Sequence, residues 1–195
     1  MFTNLFFRRL IVLALLSAAM ISLGSALAGC GSSAGTSSET STAAAALQEF
    51  KSEAGRFSVM VPRLPVEQIQ ASENAADKSD SHLFSIVETS CYFGVSYHDY
   101  STNAADPQAL LDAIRDGQLR AMGKTLVQET RITLDGNPGR ELITNWKDEK
   151  GDKSEKAHLY IVKNRLYMVT IMWNPRSSDG SEFEDSLQSF KLLAG

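Results

Sequence analysis

The most constraining feature of this sequence is a strongly apolar hairpin in its C-terminal half, formed by residues 157–162 and 166–173. Tyr160, Ile161 and Val162 are consecutive apolar residues, and residues 166–169 repeat the pattern in the second strand. A strand that is apolar on both faces is buried on both faces. The hairpin is therefore predicted to lie at the centre of a sheet that has a covering layer on each side.

Shorter strand patterns precede this hairpin. In residues 56–62, Phe57, Val59 and Val61 alternate toward one face, which is typical of a half-buried strand. Residues 147–156 alternate in charge, and we expect them to form a solvated hairpin tip. Further strands are predicted at residues 66–70, 82–89, 91–99, 125–134 and 140–146.

Two helices are predicted from their end signals. Asp106 is a suitable N-cap, Pro107 suits the first helical position, and Gly123 is placed to end the helix. Residues 181–184 match a capping box ahead of a short final helix, and residues 189–193 are expected to form an edge strand. About nine short strands and two helices, without regular βαβ alternation, predict an α+β fold with a mostly antiparallel central sheet.

The N-terminal end has the layout of an export signal. Arg8 and Arg9 precede an uncharged, mainly apolar run, residues 10–28, and Gly29 and Cys30 follow it. Positive charge, an apolar segment and small residues at the cleavage point are the three parts of a secretory signal. The Leu-Ala-Gly-Cys sequence that ends at Cys30 resembles the lipobox of bacterial lipoproteins.

The lipobox resemblance implies cleavage between Gly29 and Cys30 and a diacylglycerol on the Cys30 thiol. The protein would then be lipid-anchored on the extracytoplasmic face of a membrane in a bacterial cell envelope. Two other interpretations stay open: an ordinary cleaved signal peptide, and an uncleaved anchor, since roughly 20 apolar residues can span a bilayer. On the lipobox interpretation, residues 1–29 are a signal peptide, residues 30–47 a flexible Ser/Ala/Thr/Gly linker, and residues 48–195 one domain.

The charge of the processed chain limits its partners. Without Arg8 and Arg9, the 19 basic residues become 17 against 23 acidic ones, and the net charge moves from −4 to −6. Binding to nucleic acid normally requires a basic face, so no nucleic-acid partner is expected. Attraction to anionic lipid is disfavoured for the same reason, which leaves the lipid on Cys30 as the expected membrane attachment.

Four groups of residues in the folded part form a recognisable pattern. They are Gly55-Arg56-Phe57-Ser58-Val59 with Pro62, Tyr160 with Val162, Asn164-Arg165-Leu166-Tyr167, and Phe183 with Ser189-Phe190. This pattern resembles the PsbP family of photosystem II extrinsic subunits and its bacterial lipoprotein relatives. The resemblance implies an α/β/α sandwich with helices on both faces of the sheet, no enzymatic activity, and a role in assisting a membrane complex.

Few residues could carry chemistry. His98 and Asp99 are adjacent, and Cys91 and His98 are an odd number of residues apart on one predicted strand, so each pair should point to opposite faces. Cys91 is expected to be a small buried hydrophobe, and His82 is expected to start a strand. His158 is expected to face solvent or to act as a capping residue. No nucleophile elbow, phosphate loop or metal-ligand spacing is present, so no catalytic residue, cofactor or metal site is predicted.

Three function classes remain at this point. The first is a non-enzymatic accessory or binding module for a membrane-associated protein. The second is a small-ligand carrier with a pocket between sheet and helix, and the third is an enzyme that uses His98 or Cys91. Trp146 and Trp173 end strands, where they would close the core at the sheet rim or form a protein-contact patch.

Overall fold

A computed structural model describes residues 46–71 and 79–194 of the chain. This part forms ten strands, two α-helices and one short 3-10 helix in an α+β arrangement. The strands are β1 (Gln48–Ser52), β2 (Phe57–Val61), β3 (Val66–Gln70), β4 (Ser81–Val87), β5 (Cys91–Asp99), β6 (Thr125–Leu134), β7 (Asn137–Asp148), β8 (Gly151–Val162), β9 (Arg165–Trp173) and β10 (Lys191–Leu192). The helices are α1 (Pro107–Met122), the 3-10 helix Ser181–Phe183 and α2 (Glu184–Gln188).

Seven strands form one antiparallel sheet in the order β3-β4-β5-β9-β8-β7-β6. The apolar hairpin is β8 and β9, and Tyr160 pairs with Tyr167 across it. Both strands are in the interior of the sheet, so the predicted central position is confirmed. The α+β class and the antiparallel sheet are confirmed as well.

Alternate residues of the central strands contribute to two separate hydrophobic clusters. Tyr160 belongs to a cluster with Phe57 and Phe190, which we call the aromatic cluster. Leu159 and Ile161 belong to a second cluster with residues of α1, and the sheet face that carries them is called here the α1 face. Successive side chains of a strand point to opposite faces, so the two clusters lie on opposite sides of the sheet.

Helix α1 begins and ends as its sequence predicts. The Asp106 carboxylate accepts hydrogen bonds from the backbone N–H groups of Gln108 and Ala109, at 2.9 and 3.1 Å. Gly123 follows the helix with φ +60°, a left-handed conformation that costs a glycine little. The apolar side of α1 contacts β7 and β8, where Leu111 and Ile114 are fully buried.

Two predictions about local structure differ from the structure. Residues 147–156 do form a hairpin with an exposed turn at residues 149–150, as predicted, but the solvated part is shorter than predicted, because β8 starts at Gly151 and Ser154 and Glu155 are buried. The ladder extends this far since Glu155, on the inner side of β8, is buried with a lysine partner that is distant in sequence. Residues 181–184 do not form a capping box: Gly180 precedes the 3-10 helix and no side chain caps it.

The strands divide between two sheets, a point on which the sequence pattern makes no prediction. β1, β2 and β10 form a separate three-stranded antiparallel sheet, in the order β1-β2-β10, and β1 is a strand that the sequence analysis does not predict. The expected edge strand at residues 189–193 is present as β10. Phe57 of β2 and Phe190, just before β10, pack 5.4 Å apart between ring centroids, so the small sheet covers the aromatic cluster.

Candidate functional site: a cavity beneath the last turn of α1

A row of small side chains crosses the α1 face of the large sheet. Ser85, Gly94, Thr170 and Ala157 are direct neighbours in register on four adjacent strands. Residues that face each other across strands project to the same side of a sheet. The row therefore forms a depression in the sheet surface, and its two middle residues, Gly94 and Thr170, are the floor of a cavity of about 40 Å³.

Larger side chains border this floor on both sides. Tyr92 and Met172 pair with each other two positions along β5 and β9, and Ser96 pairs with Met168 two positions in the other direction. Leu83 of β4 lies beside Ser96. All five residues line the cavity. The border is consequently made of the phenol of Tyr92, two flexible thioethers, one isobutyl group and the hydroxyl of Ser96.

The C-terminal end of α1 forms the roof. Gln118 is buried in the last turns of the helix, and its side-chain amide donates to the thioether sulfur of Met168 at 3.0 Å. Met122 is the final helical residue, and Lys124 follows Gly123. Gly123 bonds back to the Leu119 carbonyl, and this left-handed turn reverses the chain so that Lys124 lies against the sheet rather than in solvent.

Lys124 and Glu155 form a buried ion pair at one end of the cavity. Their side chains are 2% and 5% exposed, and Nζ lies 2.5 Å from Oε2. The same carboxylate oxygen accepts a hydrogen bond from Thr144 at 2.9 Å, and the ammonium lies 4.7 Å from the centre of the Trp146 ring. Each charge thus has a charged partner and a further polar or aromatic contact, as buried charges require.

Tyr92 occupies the space above the glycine of the floor. A Cβ atom at Gly94 would lie 2.5 Å from the Tyr92 hydroxyl, so a larger residue at position 94 would displace the ring. Burial, followed by the charge of Glu155, raises the pKa of Tyr92, while a hydrogen bond with Ser85 acts in the opposite direction. Tyr92 is therefore a neutral phenol at physiological pH and cannot supply a negative charge to the cavity.

Thr170 is the unusual residue of the floor. It is 4% exposed, it lines the cavity, and its Oγ1 has no hydrogen-bond partner among the described residues. An unsatisfied buried hydroxyl costs on the order of 1–3 kcal/mol, so most buried hydroxyls in native proteins are paired. The hydroxyl oxygen is itself buried, so Thr170 adds no accessible polar group and the cavity keeps a mostly apolar lining.

The sequence-predicted candidates for catalysis are not brought together. Cys91 belongs to the aromatic cluster, whereas His98 shares the α1 face with Ser81, whose hydroxyl is 3.1 Å from His98 Nδ1. Burial, followed by the nearby Glu182 charge, raises the pKa of the Cys91 thiol to about 12. Cys91 is a buried hydrophobe, as predicted, and it would be a poor nucleophile.

His98 and Asp99 also point apart, as their adjacent positions predict. His98 is buried and packs edge-on against Tyr100, at 5.0 Å between ring centres. The Asp99 carboxylate forms two 2.6 Å contacts with the Arg165 guanidinium, which lies 4.4 Å from the ring centre of Tyr97. The hydrogen bond from Arg165 holds the pKa of Asp99 below its usual value.

The prediction for His158 is wrong. This residue is buried, with Nε2 2.9 Å from Glu141 and Nδ1 3.2 Å from the Tyr160 hydroxyl. The charged residues near His158 in the sequence predict a solvent-facing position. Instead, His158 lies on β8, an interior strand of the large sheet. Burial is the main cause that lowers its pKa, and Glu141 opposes the shift. His82 lies at the start of β4, as expected, one residue after Ser81, and its Nδ1 lies 3.0 Å from the Glu67 carboxylate.

The two tryptophans close the core rather than form a surface patch. Trp146 is buried under Lys124, and Trp173 packs against the aromatic cluster. Gly29 and Cys30 lie outside the described residues. Across residues 46–71 and 79–194, no three His, Cys, Asp or Glu side chains are grouped as a metal site would need, and no helix is long and apolar enough to cross a membrane.

Sequence analysis missed the residues that form the cavity. Glu155 was assigned to a solvated tip, and Thr170 was only one position in an apolar strand. The available signals were indirect: a small residue, Gly94, inside a strand, and Gly117 on the helix side that faces the sheet. Neither signal reveals which residues are neighbours across four strands, because that depends on register.

Comparisons with known proteins agree on the fold alone. No family model and no curated protein matches the sequence. The solution structure of cyanobacterial PsbP (CyanoP) from Synechocystis sp. PCC 6803 matches with a TM-score of 0.55 at 13% identity, over 86% of this chain and 99% of that one. A likeness at this identity shows a shared fold, so the PsbP-like fold is confirmed.

Two further solved structures are more distant. A protein of unknown function from Pseudomonas aeruginosa has a TM-score of 0.46 at 12% identity, over 73% of this chain and 92% of that one. A protein from Bacteroides thetaiotaomicron has a TM-score of 0.46 at 11% identity, over 75% of this chain and 48% of that one. At these scores neither structure bears on function.

Proposed function

We propose that this protein is a lipoprotein of a bacterial cell envelope, tethered to the extracytoplasmic face of a membrane, whose domain binds a membrane-associated protein and is not an enzyme. Three observations support the proposal. They are the lipobox-like residues that end at Cys30, the separation of His98 from Cys91, and the fold shared with CyanoP. The PsbP resemblance implies the same kind of accessory role.

The proposal includes the layer order of the domain. Leu187 of α2 packs in the aromatic cluster, and Leu111 of α1 packs in the cluster on the α1 face. We take α1 as one outer layer, and α2 with the three-stranded sheet as the other, which would give the α/β/α sandwich that the PsbP resemblance implies.

The observation that carries the partner-binding role is the edge of the large sheet at β3. β3 is a terminal strand, and no other strand of the described part of the chain pairs with its outer side. Val66 on β3 and Leu64 just before it are each 61% exposed, and Val87 of the next strand is exposed beside them. Soluble proteins usually protect such edges, because an open apolar edge can pair with another extended segment.

We take the occupant of this edge to be an extended segment of a membrane-associated protein, added as one more strand. In that recognition mode the backbone hydrogen bonds provide affinity and alternate side chains provide specificity. Residues 30–47 would connect the lipid to β1, with a reach of roughly 20–25 Å. The tether would therefore keep β3 close enough to the membrane to meet a segment exposed at its surface.

A photo-cross-linker placed at Val66, in cells that carry the intact chain, tests the partner. The matched control is Val127 on β6, the opposite edge of the same sheet, which is 58% exposed. We expect one adduct of defined mass from position 66, none from position 127, and loss of the adduct in an Ile69→Pro variant. Equal labelling from both edges, or none from either, would reject β3 as the docking edge.

The lipid anchor is tested by Cys30→Ala. The substituted protein should move from the membrane to the soluble or unprocessed fraction, whereas Cys91→Ala, the matched control, should leave fractionation unchanged. Unaltered size and membrane partitioning of Cys30→Ala would contradict the proposed tether.

A further inference from the structure

We infer that the groove between the β8–β9 turn and the β1–β2 turn is a binding site for a small molecule that has a phosphate group and a short apolar body. Residues of both sheets line this groove, whose volume is about 350 Å³. Clefts that hold small molecules usually have volumes of about 300–1,000 Å³. The chemistry of the site does not depend on the lipid anchor or on the partner at β3.

The lining of the groove is positively charged. It contains three basic residues, Arg56, Lys163 and Arg165, and one acidic residue, Asp99, which gives it a net charge of +2 in a chain whose net charge is −4. Arg165 and Asp99 pair with each other, so the excess charge belongs to Arg56 and Lys163. Both are exposed, and neither side chain forms an ion pair or a hydrogen bond within residues 46–71 and 79–194. A concave basic surface of this kind attracts anions.

The turn that carries Arg56 is fixed to the rest of the domain through three consecutive carbonyl groups. The Arg165 guanidinium donates to the Ala54 carbonyl at 2.9 Å, and the Tyr167 hydroxyl donates to the Gly55 carbonyl at 2.7 Å. The Arg56 carbonyl accepts a hydrogen bond from a backbone N–H just after β10, also at 2.9 Å. These contacts hold the backbone of the turn and leave the Arg56 guanidinium free for a ligand.

The turn that carries Lys163 is held by contacts with the end of β5. The backbone N–H of Tyr100 donates to the Asn164 carbonyl at 2.7 Å, and the Asn164 side-chain amide donates to the Tyr100 carbonyl at 2.9 Å. Lys163 and Arg56 both have left-handed backbone conformations, with φ of +57° and +55°. Such conformations are uncommon outside glycine and asparagine, and they persist where surrounding contacts enforce them. Both cations are thus presented by turns with a defined backbone.

Two unpaired cations favour a phosphate group over a carboxylate. A phosphate monoester carries a charge of about −1.5 to −2 at pH 7 and has three strong acceptor oxygens, so it can contact two donors at once. An arginine can contact two of these oxygens in parallel, and a lysine acts as a point charge. Because the two turns are already ordered, the ligand does not have to order them on binding.

One wall of the groove is apolar. It is formed by Val162, Leu192 and Leu193, which are all half-buried and therefore still partly in contact with solvent. A ligand body that covers this surface removes it from water, which adds to the affinity of the charge contacts. Inorganic phosphate, which has no apolar body, should consequently bind more weakly than an alkyl phosphate.

The position of the groove favours a soluble phosphate over a lipid headgroup, and this step alone rests on the proposed tether. The linker would join β1 at Gln48, whereas the β1–β2 turn follows Ser52 at the other end of that strand. Five strand residues span roughly 16 Å. The groove therefore lies at the end of β1 that is away from the lipid attachment.

The experiment titrates butyl phosphate into ¹⁵N-labelled full-length protein in phosphatidylcholine nanodiscs. We expect saturable shifts of the backbone amide signals of Arg56, Lys163 and Leu193, with a dissociation constant of about 1 mM. The amide of Lys150 is the internal control, because this exposed lysine lies in the turn at the opposite end of β8. Pentanoate and inorganic phosphate should each bind about fivefold more weakly than butyl phosphate, and 1-butanol should give no saturable shifts.

Substitutions at the two turns assign the site. Arg56→Gln and Lys163→Gln should each weaken butyl phosphate binding by about fivefold, the upper range for one partly exposed ion pair. Lys150→Gln is the matched control: it removes the same charge from an exposed turn outside the groove and should leave the affinity unchanged. Arg56→Lys and Lys163→Arg keep the charge and should retain the affinity within about threefold.

Specific outcomes would overturn the inference. These are shifts that stay linear at both turns, equal weakening by Lys163→Gln and Lys150→Gln, or 1-butanol binding as tightly as butyl phosphate. Displacement of butyl phosphate by nanodiscs that contain phosphatidylglycerol would overturn the soluble source and assign the phosphate group to a lipid. Loss of the β3 cross-link with normal butyl phosphate binding would reject only the proposed function, and the reverse pattern would reject only the groove site.

Discussion

Replacing Thr170 with valine should stabilise this protein, although threonine-to-valine changes in a core usually lower stability. The two side chains have the same shape, and the lost hydroxyl has no partner among the described residues. The penalty for such a buried group is about 1–3 kcal/mol. We therefore expect the free energy of unfolding to rise by about 1 kcal/mol, and the melting temperature by about 2–4 °C.

Thr144→Val is the matched control for this prediction. Thr144 is 2% exposed and lies on the same face of the same sheet, but its hydroxyl donates to the charged Glu155 at 2.9 Å. A hydrogen bond to a charged group contributes about 1.5–3 kcal/mol to stability, so the free energy of unfolding of Thr144→Val should fall by about 2 kcal/mol. The two chemically identical substitutions should thus differ by about 3 kcal/mol with opposite signs.

Urea unfolding followed by tryptophan fluorescence measures both effects in one assay, since Trp146 and Trp173 lie in the two halves of the core. The slope of the free energy of unfolding against urea concentration should be the same for the parent, Thr170→Val and Thr144→Val. The shift in the urea midpoint therefore reports the change in stability directly. A loss of stability above about 0.5 kcal/mol in Thr170→Val would mean that the Thr170 hydroxyl is satisfied, which would refute the reasoning.

Three further predictions concern the buried ion pair, an ion pair near the surface and the helix end. Lys124→Met should lower the free energy of unfolding by about 3 kcal/mol, because it leaves the Glu155 charge buried without its partner. The double variant that also carries Glu155→Leu should regain most of this stability, as measured by urea unfolding. The pKa of Asp99 is lowered in the folded state, chiefly by the hydrogen bond from Arg165. Ionised Asp99 therefore contributes its full share to the free energy of unfolding at pH values above its ordinary pKa of 3.8. That share disappears as the pH falls through the lower pKa of the folded state. The free energy of unfolding of Asp99→Asn should be about 1 kcal/mol lower than that of the parent at neutral pH and equal to it in strong acid. Unfolding measured at a series of acidic pH values tests this, and a difference that does not change with pH would contradict it. Gly123→Ala should lower the free energy of unfolding by about 1 kcal/mol, because alanine is strained at φ +60°. A Cβ at this position meets no atom within 4 Å, so backbone strain is the only expected cause. An unchanged melting temperature would argue against the left-handed helix end.

Local signals in the sequence predicted most of the large sheet and α1. The apolar hairpin of β8 and β9 needed no tertiary information, because residues that are apolar on both faces can only be buried on both faces. Helix α1 was equally well defined, since Asp106, Pro107 and Gly123 each act through their nearest backbone neighbours. These elements were correct because their causes lie within a few residues.

The errors occurred where distant residues override local pattern. Charged residues on β8 suggested a solvated turn, but Lys124, 31 positions earlier, makes burial of Glu155 possible. His158 was expected in solvent for the same reason, and Glu141 of the neighbouring strand accounts for its buried position. The capping box failed because Gly180, at φ +81°, packs against Trp173 and starts the final helical segment without a side-chain cap.

The sequence by itself determined the α+β class, the central hairpin, the span of α1 and the burial of Cys91. Each depends on periodicity or on residues adjacent in the chain. Only the tertiary structure decided that Ser85, Gly94, Thr170 and Ala157 form one row, and that Lys124 covers one end of it. A one-residue slip in any of these pairings would turn a floor residue to the opposite face, so the cavity exists through strand register, which no single stretch of sequence encodes.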